Sequence, residues 1–326
     1  MSAISADTNL TAARISVAEW TKIFLRGVGQ VMFQENALTG LLFLAGIALA
    51  GFEETWPVAL WMAFGGLVGT VIGTLTAWVL RYDEKDVRAG IYGFNSTLVG
   101  IATFFFFAPS AASIGILLVG SVAGTIVTWL MRSFLPFPTY TFPFIVTTWV
   151  LVGIAILGFG MHTIEHVAPP LPETHWTAAF SEGLSEVMFQ ASIVTGLFFL
   201  AGLAVNDWRH AVLGLLGSVL GALVGAYHHD PHEAISIGIF GYNAALAAIA
   251  MDLPRKALLI PILAAIISTP ITDAFGAVPP VIPGYALPAL TAPFVFACWA
   301  VLLLQVIERY FTAQPPKHEE PTQASA

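Results

Sequence analysis

Charge is what this sequence has least of. Of its 326 residues only 10% are Asp, Glu, Lys or Arg, against about 25% in an ordinary soluble domain. A soluble chain of this length needs a polar shell, and these charges are too few to make one. The single cysteine, Cys298, lies in an apolar run, so there is no intrachain disulfide framework. No basic block offers a nucleic-acid footprint. Residues 1–18 are polar and lack the apolar stretch of a signal peptide. What abounds is apolar. Hydrophobic residues make up 57%, in runs near or above the ~20 residues that span a bilayer. These runs do not alternate polar with apolar, which excludes a porin-type barrel. The fold class is an all-α polytopic membrane protein.

The runs predict ten transmembrane helices. In the first half a short helix over 20–33 enters the membrane, breaks at Gln34-Glu35-Asn36 and resumes over 37–51. Spans follow over 57–80, 89–108, 112–134 and 140–160. A polar linker with Pro169, Pro170 and Pro172 separates the halves. The second half repeats the order over 180–189 with 193–205, then 210–227, 234–253, 257–275 and 291–310. The expected organisation is a cytoplasmic tail (1–18), a first repeat (19–160), an extracytoplasmic linker (161–176), a second repeat (177–311) and a polar, disordered cytoplasmic tail (312–326).

Basic residues test this count. With ten crossings, all 12 Lys and Arg residues fall on one side, from Arg14, Lys22 and Arg26 through Arg132, Arg209 and Arg255 to Lys317. By the positive-inside rule that side is the cytoplasm, and both termini lie there. Five spans per half is an odd number, so the halves are inverted repeats related by an axis in the membrane plane.

Three pairs of motifs mark the repeat. Gln30-Val31-Met32-Phe33-Gln34 matches Glu186-Val187-Met188-Phe189-Gln190. Gly93-Phe94-Asn95 matches Gly241-Tyr242-Asn243. Phe137-Pro138-Thr139-Tyr140-Thr141-Phe142-Pro143-Phe144 matches Leu287-Pro288-Ala289-Leu290-Thr291-Ala292-Pro293-Phe294. Glycines 65, 69 and 73 mirror 217, 221 and 225 and are read as helix packing. Interrupted helices at matching places in two halves point to a site near the bilayer midplane.

Glu186 carries the sharpest signal. A carboxylate at the centre of a membrane helix costs roughly 2.5–3.5 kcal/mol on insertion scales. Its mate is Gln30, and an amide sharing a carboxyl's role suits hydrogen bonding to a polar neutral ligand. The plain alternative is a packing carboxyl bonded to a neighbouring helix. Phe33 and Phe189 follow three residues later, on the same helix face. A ring beside a hydrogen-bonding group suits a flat ligand, although Phe is abundant and either ring alone reads as core. Prolines around Thr141 and Thr291 free backbone carbonyls four residues earlier, and such carbonyls at membrane depth line a cavity or are buried in protein. Alternatively, each threonine bonds its own helix. Asn95 and Asn243 are expected to bond a freed backbone group or, second, to contact the ligand. His162, Glu165 and His166 fit an H-x-x-E-H pattern, but in a Pro-rich loop with no third ligand. No metal and no cofactor is expected.

The proline motifs resemble the signature L-P-x-x-T-x-P-F of the urea transporter (urea channel) family, bacterial type. Residues 287–294 fit it fully, and 137–144 depart only in having Phe137 for Leu. The resemblance extends over about 20–310. It implies a homotrimer with one pore per subunit in a bacterial inner (plasma) membrane, passing urea without energy coupling. It also implies that Gln30, Glu186, Thr141 and Thr291 contact urea, while Phe33, Phe189, Leu98 and Leu246 wall a narrow slot with Val31 and Val187 nearby. Urea is planar and neutral, and half-helix breaks edged with acceptors suit it. Two other readings stay open: an ion- or proton-coupled carrier titrating Glu186, and a membrane enzyme built on the loop histidines. The expectation is a transporter with no catalytic residue, with urea and the lipid bilayer as partners and no nucleic acid.

Overall fold

The computed structural model describes residues 15–254, 256–277 and 285–312. Residues 1–14 and 313–326 of the two expected tails, with Arg14, Arg255 and Lys317, lie outside the described residues. The chain is helical. In order it forms α1 (Val17–Gly29), α2 (Ala37–Leu49), α3 (Trp56–Val79), α4 (Glu84–Arg88), α5 (Phe94–Phe106), α6 (Ala111–Phe134) and α7 (Phe142–Gly153). It continues with α8 (Trp176–Ser185), α9 (Ile193–Asn206), α10 (Trp208–Tyr227), α11 (His232–Ser236), α12 (Gly241–Asp252), α13 (Leu259–Ala277) and α14 (Ala292–Thr312). Helix α1 begins inside the stretch expected as a tail.

Among the described residues five helices, α3, α6, α10, α13 and α14, are long and apolar enough to cross a membrane, and two bent pairs, α1 with α2 and α8 with α9, raise the number to seven. The spans expected over 89–108 and 234–253 are each divided. A short helix and a glycine turn (Gly90 φ 83°, Gly238 φ 80°) take up their first part, leaving α5 and α12. The 13-residue α5 is about 20 Å long at 1.5 Å per residue, short of the ~30 Å hydrocarbon core.

The two bends have one cause. After α1 the chain tightens into a 3-10 turn over Gln30–Met32, and Phe33 then turns left-handed with φ 64°. After α8 the turn is Glu186–Met188, and Phe189 has φ 62°. The bends measure 72° and 73°. Each new helix starts on a cap: the Asn36 side chain accepts from Leu38 N–H at 2.8 Å, and the Ser192 hydroxyl accepts from Thr195 N–H at 3.1 Å. The bent arms then touch. A Cβ on Gly40 would strike the Leu25 carbonyl oxygen, and one on Gly196 would strike that of Ser181. Only glycine allows that crossing. The glycine rows behave as packing too. A Cβ on Gly69 would strike the Ser96 carbonyl on α5, and one on Gly221 the Phe240 carbonyl before α12.

Contacts between the halves come in reciprocal pairs. The Thr39 hydroxyl donates to the Gly202 carbonyl at 2.7 Å, and the Thr195 hydroxyl donates to Gly46 at 2.8 Å. Between these bonds the Phe43 and Phe199 rings meet with centroids 4.6 Å apart. Trp149 on α7 donates its indole N–H to the Pro288 carbonyl, and Trp299 on α14 donates to Pro138, both at 2.8 Å.

Candidate functional site

The proline motifs meet at the middle of the protein. The hydroxyls of Thr141 and Thr291 lie 2.6 Å apart and are hydrogen-bonded to each other, both side chains buried. Neither threonine bonds back to its own helix, the alternative open in the sequence.

Backbone carbonyls are released beside this pair, though by a different device from the expected one. Pro143 and Pro293 cannot donate to Thr139 and Ala289, yet those carbonyls accept instead from Phe142 N–H at 2.9 Å and Ala292 N–H at 3.0 Å. The release comes one residue on. Phe144 N–H, which a continuous helix would give to the Tyr140 carbonyl, goes to the Asn95 side-chain oxygen at 3.2 Å. Phe294 N–H goes likewise to Asn243 at 3.1 Å instead of to Leu290. Tyr140 and Leu290 are themselves left-handed, each with φ 47°. Asn95 and Asn243 therefore take up backbone donors, as their polarity beside a helix start suggests, and hand the acceptors on.

Glu186, half-buried at the start of its 3-10 turn, lines two adjoining cavities. One, of about 280 Å³, runs past Val187, Phe189 and Tyr242 to Leu290 and Thr291. The other, of about 570 Å³, reaches out past Glu54 and Ala191 to His166 and Pro169 of the linker. Phe105, Phe189 and Ile239 line both. The walls are aromatic: Phe189 lies 4.7 Å from Phe105 and 6.3 Å from Phe144, centroid to centroid. His166 stacks flat on Phe105 at 3.9 Å, its Nε2 2.8 Å from the Phe105 carbonyl oxygen. That contact roofs the larger cavity and accounts for one histidine of the H-x-x-E-H stretch. Burial pushes the Glu54 carboxyl up to about 7; the Ala191 N–H opposes the shift and Glu53 adds to it.

The first-half residues lie differently. Gln30 turns its amide N–H to the Ala89 carbonyl at 3.0 Å. Phe33 packs against Tyr140 and Phe294, at 6.0 and 6.2 Å. Each break phenylalanine thus meets the phenylalanine of the other half's proline motif. Of the ten residues expected at a site, Glu186, Val187, Phe189 and Thr291 line the smaller cavity, and Thr141 joins it through the hydroxyl pair. Val31, Leu98 and Leu246 are fully buried in the core that surrounds both breaks. The expected shared helix face of Gln30 with Phe33, and of Glu186 with Phe189, is replaced by a 3-10 turn and a left-handed residue.

Sequence reasoning missed the walls Phe105 and Phe106, Tyr242 as a cavity residue, and the crossed tryptophans. Trp149 and Trp299 each follow the second proline of their motif by the same interval, and that matched spacing was the available signal.

This arrangement coincides with a family assignment made on the whole sequence. The description "Urea transporter" matches residues 21–306. The chain belongs to the urea transporter family. Among relatives of this chain, urea transporter 1 of Ovis aries is 28% identical over 316 residues, covering 86% of this chain and 76% of that protein. Urea transporter 1 of Mus musculus is 27% identical over 259 residues, covering 72% of this chain and 63% of that protein. The family, together with the long apolar helices, makes this an integral membrane protein.

Proposed function

We propose that this protein is a passive, channel-like pore for urea, formed where its two halves meet. Urea transport across a membrane is the activity of its family; the narrower reading concerns how the solute passes. One observation carries it. Two cavities that share Glu186 and Phe189 lead inward to Thr291, whose hydroxyl meets that of Thr141.

The chemistry fits the solute. Urea is flat and neutral, with four N–H donors and one carbonyl. Glu186, the paired threonines and the released carbonyl of Tyr140 accept its edge. Phe189 and Phe105 flank its faces, as Phe33 does in the first half, with Leu98, Leu246, Val31 and Val187 behind them. Gln30 answers Glu186 from the other half. Such sites are strong enough to replace water and weak enough to release the solute.

Ten crossings follow if the five long helices, the two bent pairs, the short apolar helices α5 and α7, and α12 each cross once. The reciprocal bonds of Thr39 with Thr195 and of Trp149 with Trp299 support two inverted halves, over 19–160 and 177–311, joined by an extracytoplasmic linker over 161–176. The Arg26 guanidinium reaches the Arg88 carbonyl at 3.0 Å, and Arg132 pairs with Asp86 at 2.7 Å, which supports a common, cytoplasmic side for these cations. Both termini share that side of a bacterial inner membrane. The assembly is a homotrimer with one pore per subunit, as the family resemblance implies.

Stopped-flow urea permeation in proteoliposomes, with ammonium and glycerol as controls, tests the reading. Urea flux is expected without any proton or sodium gradient. Flux that collapses when the gradient is removed would overturn it in favour of a coupled carrier titrating Glu186.

A further inference from the structure

The two released carbonyls are not equally free. In the second half the Tyr242 hydroxyl donates to the Leu290 carbonyl at 2.6 Å, and the Asn243 amide stands 3.5 Å from the same oxygen, at the edge of bonding range. In the first half the residue matching Tyr242 is Phe94, which has no hydroxyl to give to Tyr140. Tyr242 is buried, yet it lines the cavity of about 280 Å³ beside Glu186 and Leu290. Its hydroxyl is therefore a built-in competitor for an acceptor that a solute N–H would otherwise use.

We propose that Tyr242 is a specificity-determining residue of the pore: by holding the Leu290 carbonyl it lowers the number of N–H groups that the second half can satisfy. This rests on the urea-pore reading. A carbonyl oxygen carries two lone pairs, but the short, buried phenol bond takes the better-placed one and orients the group. With Phe at 242 the carbonyl turns to the cavity and becomes a site for a donor-rich solute. With Tyr at 94 the same stopper is installed against Tyr140.

The experiment compares two flat amides of similar size, urea with four N–H donors and acetamide with two. Half-saturating concentrations for both are measured by stopped flow in proteoliposomes carrying wild type, Y242F or F94Y. Y242F is expected to lower the urea value about fivefold, the worth of one ordinary hydrogen bond, and to move acetamide by less. F94Y is expected to raise the urea value relative to acetamide. The acetamide-to-urea ratio thus moves in opposite directions in the two variants. A ratio unchanged in both, or moved the same way in both, overturns the inference while wild-type urea flux leaves the pore reading standing. Absence of urea flux above empty liposomes in the wild type sinks the pore reading and the inference together. Should Y242F fail to assemble, F94Y decides alone, and an unraised urea value there overturns the proposal.

Discussion

The two halves share a backbone and differ in their chemistry. Both bend by nearly the same angle at a left-handed phenylalanine, and both surrender a helix-start N–H to an asparagine. At matching motif positions the first half carries Gln30, Phe94 and Tyr140, whereas the second carries Glu186, Tyr242 and Leu290. Gln30 is bonded to a carbonyl of its own half, while Glu186 faces two cavities. The difference teaches that backbone geometry alone builds the pair of breaks, and that a few side chains decide which break is the more polar.

The comparison breaks most visibly at Glu186. Glu186→Leu is expected to lower urea permeability on the order of tenfold to a hundredfold, the scale of one strong hydrogen bond. Glu186→Gln copies Gln30 and should retain most of the flux. Equal losses, measured by stopped flow, would mean that a titrating acid is needed and that the halves differ in kind.

The shared backbone device is tested next. Asn95→Leu and Asn243→Leu each disturb the acceptor of a buried N–H, and each should cost about 1–3 kcal/mol of stability. Denaturation in detergent should give similar losses for the two. A loss confined to one variant would show that the halves do not rest on the same bond. The threonine pair sits between the halves, so Thr141→Val and Thr291→Val should match each other more closely still, at about 1 kcal/mol each, with the double variant costing less than the sum.

The smallest effect concerns Glu54, which lines the larger cavity. Glu54 has a folded pKa of about 7 against an ordinary 4.5, so the folded state binds its proton more tightly than the unfolded one. Its contribution to stability is full below about 4.5 and fades as the pH rises to about 7. Glu54→Gln should flatten the pH dependence of the melting temperature across that window.

Much of this was legible in the sequence, because period and repetition survive in it. The breaks after Phe33 and Phe189 and the bonding of backbone groups by Asn95 and Asn243 follow from matched motifs, whereas a shared place for Thr141 and Thr291 comes only with the family resemblance. Two kinds of feature were not legible. The division of the 89–108 and 234–253 spans depends on turns at Gly90 and Gly238, which apolar composition conceals. The carbonyl release at Tyr140 and Leu290 depends on long-range bonds from another helix, whereas proline spacing points to Thr139 and Ala289, where a local 3-10 bond closes the gap.

The crossed tryptophans have a consequence for biosynthesis. Each proline turn leaves an oxygen that the opposite half caps, Trp299 bonding Pro138 and Trp149 bonding Pro288. As the chain emerges from the ribosome, the first half stays chemically unfinished until nearly the last helix has been made. Joining of the two halves is thereby tied to synthesis of α14, and a product truncated before it lacks the Trp299 cap on Pro138.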